Sequence, residues 1–74
     1  MRRELSVKSV AIDWQAETME IKAEIGTHTV PLNKDIHVVM VGYPDREEKT
    51  MQARSLGQYM SQGYIIEQID FEEE

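Results

Sequence analysis

The chain has 74 residues, 14 acids against 8 bases, a net charge of −6 and no cysteine. That length bounds it to one domain, residues 1–74, burying only about 60% of its unfolded surface, and the missing cysteines exclude disulfides, cysteine-based zinc sites and thiol nucleophiles and favour a cytoplasmic setting. The acid excess disfavours direct binding to a phosphate backbone and favours basic partners; no apolar run approaches the roughly 20 residues of a membrane span, and "MRRELSVKSV" lacks the apolar core of a signal peptide.

"ELSVKSVAIDW", residues 4–14, reads as a strand whose phase shifts. Leu5 and Val7 share one parity and Val10, Ile12 and Trp14 the other, so a bulge near Lys8–Ser9 is expected. The polar "QAET" suits a hairpin loop. In "TMEIKAEIG", Met19, Ile21, Ala23 and Ile25 alternate with Glu20, Lys22 and Glu24, the pattern of a half-buried strand closed by Gly26. Pro31 makes residues 27–34 an edge strand or a loop, and Asn33–Lys34–Asp35 supplies a turn.

"IHVVMVGY", residues 36–43, is apolar on both parities: Val38 and Met40 on one face, Val39, Val41 and Tyr43 on the other. Such strands are normally covered on both sides. After it, Asp45 and Glu48 have the spacing of a capping box, and acids at 45, 47 and 48 suit a helix N-terminus. The pattern predicts a helix over 46–61, with Ala53, Leu56 and Met60 on one stripe, Lys49 snorkelling beside it, and Gly63 as the left-handed residue past its end. Sixteen residues span about 24 Å, enough for a right-handed crossover that sets 36–43 parallel to a last strand over 64–71. In that strand Glu67 interrupts Ile65, Ile69 and Phe71: either a bulge near 67–68 turns it outward, with Tyr64, Ile66, Ile69 and Phe71 inward, or it sits at a wet edge. The expected fold is α+β, β-β-β-α-β: a small mixed, mostly antiparallel sheet of about four strands with one helix on one face.

The glycines at 26, 42, 57 and 63 match no phosphate loop. His28 and His37, with Asp35, allow a three-ligand metal site on paper, but their spacing matches no known signature. Asp35 and His37 lack a nucleophile with a positional signature, because Ser6, Ser9, Ser55 and Ser61 have none. No enzyme, catalytic residue, metal or cofactor is therefore expected. Stacking of single-stranded nucleic acid on Trp14 and Tyr43 is an alternative, and a small metal-dependent enzyme using His28 and His37 is another.

From Ser55 to Glu74 there is no lysine or arginine, while Glu67, Asp70, Glu72, Glu73 and Glu74 cluster there. Glu20 and Glu24 repeat on a strand about 13 Å apart. In composition the chain resembles small acidic single-domain inhibitors, several of them phage-encoded, whose spaced carboxylates imitate the phosphates of DNA. The expected function is that of a non-enzymatic interaction module engaging a basic, nucleic-acid-binding partner through Glu67, Asp70, Glu72, Glu73, Glu20 and Glu24. The face of the central strand left uncovered by one helix predicts a homodimer, with Val39, Val41, Tyr43 and Trp14 at an apolar interface.

Overall fold

In the computed structural model, residues 1–42 and 45–73 are described; the expectations for Tyr43 and Glu74 lie outside them. The chain runs β1 (Arg2–Asp13), β2 (Thr18–Ala23), β3 (Thr27–Pro31), β4 (Asp35–Val41), β5 (Arg46–Gln52), a 3₁₀ turn (Ala53–Ser55), α1 (Leu56–Ser61) and β6 (Ile65–Glu72). The strands form a six-stranded sheet in the order β3-β2-β1-β6-β4-β5, and each described pairing is antiparallel. The fold is thus α+β with an antiparallel sheet and one short helix, and it corrects the expectation of about four strands.

β1 belongs to both halves of the sheet. Arg2–Ser6 pair with β6 and Val7–Asp13 with β2, and the β1–β2 register shifts between Val7 and Ser9. The bulge expected at Lys8–Ser9 is present. It lets Leu5 and Val7 before it, and Val10 and Ile12 after it, reach one core. At the far end of β1, the Asp13 carboxylate accepts from the N–H groups of Gln15 and Ala16, both at 3.0 Å, and closes the turn into β2.

The predicted helix over 46–61 is the main correction. Its first half is strand β5, paired with β4 from Asp35↔Gln52 to Val41↔Arg46. β4 is buried at Ile36, Val38, Val39 and Met40 and would otherwise show an open edge, so a seven-residue ladder outweighs the local capping signal at Asp45 and Glu48. The parallel crossover fails for the same reason: β5 reverses the chain, and β4 meets β6 antiparallel. What remains of the helix is six residues. It ends as expected: Gly63 has φ +96, its N–H bonds to Met60 O, and the Tyr64 N–H bonds to Tyr59 O, the paired bonds of a Schellman motif.

The core lies on one face of the sheet. Met19 and Ile21 of β2, Ile36, Val38 and Met40 of β4, and Ile69 of β6 are almost wholly buried there, with Leu56 of α1 over them. The β4–β6 register shifts between Val39 and Met40, pairing them with Gln68 and Ile66, so Glu67 bulges out and both Ile66 and Ile69 face the core. Among the described residues, no helix is long and apolar enough to cross a membrane.

Candidate functional site: the outer face of the β1–β6–β4–β5 half

Val39 and Val41 point away from the core, on the outer face of the sheet. The register defines what surrounds them. Glu4, Asp70, His37 and Thr50 align across β1, β6, β4 and β5; Ser6, Gln68, Val39 and Glu48 form the next row; Ile65, Val41 and Arg46 form the one after. Val39 is only 5% exposed although no second layer of the described residues lies over it. Its neighbours in these rows are long polar side chains, whose stems screen it from water. Among the described residues, the expected apolar face therefore comes down to half-buried Val41 and its cross-strand partner Ile65, which is 68% exposed.

The polar row carries the electrostatics. Asp70 is buried, and its carboxylate accepts from Arg2 Nη2 and Gln68 Nε2, each at 2.9 Å. Burial pushes this carboxyl up, but the bonds from Gln68 and Arg2 and the charges of Arg2 and His37 outweigh it and hold it below the usual range. His37 reaches across to β5, with Nδ1 3.3 Å from Thr50 Oγ1 and Nε2 3.2 Å from Glu48 Oε1. Arg2, Asp35, His37, Thr50, Asp70 and Glu72 line a shallow cleft of about 230 Å³ at the end of this face, with one guanidinium against three carboxylates.

The acids of β6 are not free of bases. Antiparallel pairing with β1 and β4, and through β4 with β5, brings in residues distant in sequence. Arg3 grips Glu73 with two bonds of 2.8 and 3.0 Å, Arg46 Nε lies 3.5 Å from Glu67, and the N-terminal ammonium lies 3.8 Å from Glu72. The Arg3 bond, against a smaller effect of burial, holds the Glu73 carboxyl below its usual range. Glu20 and Glu24 do not join this group: Glu20 faces outward on β2 opposite Ala11 and Thr29, and Glu24 lies in the turn after β2 beside Glu4 and Ile25. Nor does Trp14 join Val41. It sits past the end of β1, 62% exposed, where a Cβ on Gly57 of α1 would lie 3.3 Å from its Cζ2.

His28 Nε2 faces Ile25 O at 3.2 Å on β3, away from His37 on β4. Among the described residues no group of three or more histidine, aspartate or glutamate side chains is placed to hold a metal ion. A further cluster escapes the sequence reading. Tyr59 and Tyr64 meet edge to face with centroids 5.5 Å apart, Lys49 Nζ donates to Tyr59 Oη at 3.4 Å, and the bond with Glu47, with burial, pushes the Tyr64 phenol up. Lys49 near the stripe of Ala53, Leu56 and Met60 is the available signal, disguised by the helical assignment of β5. No family model matches the chain, and none of the curated proteins or solved structures is significantly similar to it.

Proposed function

We propose that the chain is a small non-enzymatic protein-interaction module that engages a basic partner through the outer face of the β1–β6–β4–β5 half. One observation supports this reading above the others: a cleft with three carboxylates against one guanidinium opens on the same face as the apolar pair of half-buried Val41 and exposed Ile65. Charge draws a basic surface at long range, and an apolar contact beside it holds the encounter. In its sharper form the module is an inhibitor that fills the nucleic-acid site of its partner. The pairing of Glu67, Asp70 and Glu73 with arginines leaves Asp35 and Glu72 as the cleft carboxylates for that role, with Glu20 and Glu24 apart from them on the β2 side.

The test is capture from a cell lysate on the immobilised protein at low and high salt. A basic protein retained at low salt, released as salt rises, and lost with the Asp35→Asn/Glu72→Gln double variant is the expected outcome. Competition by DNA for the captured protein distinguishes the inhibitor form. Retention of acidic proteins only, or retention insensitive to salt, would sink the reading. A second reading has Trp14 to support it: this lone tryptophan is exposed yet seated on α1 at Gly57, a stacking platform for a base of single-stranded nucleic acid. Saturable quenching of its fluorescence by an oligothymidylate would favour that reading.

A further inference from the structure

The six-stranded sheet ends in two edges, β3 and β5, and they are defended differently. β5 carries Arg46, Glu47, Glu48 and Lys49 in succession, charges on both faces that oppose pairing with another strand. β3, "THTVP", carries no acid, lysine or arginine; its defences are its shortness and Pro31.

Hydrogen-bond phase decides what the β3 edge offers. The Ala23 N–H bonds to Gly26 O and the Leu32 N–H to Glu17 O, at the two ends of the β2–β3 ladder. Bonded pairs alternate in an antiparallel ladder, so His28 and Val30 direct their backbone groups at β2, to Ile21 and Met19. Thr27, Thr29 and Pro31 direct theirs outward, and all three residues are exposed. The missing N–H of Pro31 falls on this open side, so the proline costs β2 nothing and removes only one donor from the edge.

We propose that β3 pairs with β3 of a second copy of this chain, antiparallel about a two-fold axis at Thr29. This assignment stands apart from the reading of the outer face above. Thr29 of each copy then exchanges both backbone bonds with its counterpart, and each Thr27 N–H reaches the other copy's Pro31 carbonyl. That carbonyl already accepts from Lys34 N–H at 3.1 Å and has a second lone pair free. The register matches outer face to outer face: Thr29 meets Thr29 and Thr27 meets Pro31, while His28 meets Val30 on the inner side. Glu20 and Lys22 of β2 stand opposite Thr29 and Thr27, and on the other side Lys34, Glu72 and Glu73 share a cleft with Thr29 and Pro31, with Glu73 held by Arg3. Across the axis the two Glu20 residues stand three strand spacings apart, about 14 Å, beyond the screening length of about 8 Å at physiological salt. The same register carries Ile25, at 86% the most exposed large apolar side chain of the described residues, alongside Asn33 and Pro31 of the other copy. A large apolar group at a hairpin tip thereby gains a partner. A two-fold contact closes on itself and leaves the charged β5 edges outermost.

Sedimentation equilibrium on the intact protein from micromolar to millimolar concentration tests this, with amide spectra to check folding. The mass of the wild type should double across the range. Thr29→Pro deletes the central N–H on the open side without touching the β2 ladder, and it should weaken association at least tenfold. Should Thr29→Pro disturb the fold, Thr29→Lys decides, because it sets two ammonium groups at the axis on the outer face and should leave a folded monomer. Val41→Lys should leave the dimer unchanged. A wild type that stays monomeric to millimolar concentration, a dimer that survives Thr29→Lys, or one dispersed by Val41→Lys but not by the Thr29 variants would each overturn the assignment.

Discussion

Arg2 and Asp70, 68 positions apart in sequence, meet at 2.9 Å across the β1–β6 ladder, and Asp70 is one of the buried groups of the protein. A carboxylate held this way couples stability to pH. Its folded-state value lies below the ordinary aspartate range, so its contribution is complete above the unfolded pKa of about 3.9 and is lost as pH falls through the folded value. Asp70→Asn should cost about 1–3 kcal/mol at neutral pH. Urea denaturation of both proteins should show a constant difference above about pH 5 that shrinks as the solution is made more acid.

Gly42 and Tyr64 predict a steric coupling. A Cβ at Gly42 would lie within 2.7 Å of Tyr64 Cδ1 and Cζ, so Gly42→Ala must displace a ring that also packs edge to face on Tyr59. A loss of about 1–3 kcal/mol is expected from overpacking. Thermal melts of Gly42→Ala, Tyr64→Ala and the double variant check it: the alanine at 42 should cost little once the ring is gone.

The strand assignment of β5 separates neighbouring substitutions. Gly42 N–H bonds to Asp45 O at the turn, and with the alternation of bonded pairs along the β4–β5 register, Lys49 bonds to Val38 while Thr50 turns its N–H outward. Lys49→Pro should therefore destabilise by about 3 kcal/mol or more and Thr50→Pro should be tolerated. In a helix over 46–61 both would be ruinous. Circular dichroism and chemical denaturation of the two variants distinguish these outcomes.

Ile65 and Ile66 are adjacent, yet one is 68% exposed and the other 8%. Ile66→Ala should cost about 2–4 kcal/mol, and Ile65→Ala less than about 0.5 kcal/mol. Equal costs in denaturant titrations would mean that the Glu67 bulge sits elsewhere.

The features legible in the sequence are local. The phase shift at Lys8–Ser9, the alternation of β2, the bulge at Glu67 and the glycine past the helix each leave a mark within a few residues. The helical reading of 46–61 fails because its signals are local too: Asp45 and Glu48 have capping-box spacing, while the edge of β4 that recruits β5 is a property of the assembled sheet. The acids of β6 look unopposed along the chain for a similar reason. Arg2 and Arg3 reach Asp70 and Glu73 only because β1 is bonded to β6, and no window along the chain brings those residues together.

The sharing of β1 between two ladders has a kinetic consequence. During synthesis β2 follows β1 closely, so Val7–Asp13 find their partners early. Arg2–Ser6 must wait for β6, which follows the other five strands in the chain. Closing that loop costs more chain entropy than closing the short β1–β2 hairpin. The nascent protein should therefore pass through a stage in which the β1–β3 meander is formed while Leu5 and the start of β1 stand exposed, the interval in which a holdase chaperone would have its opportunity.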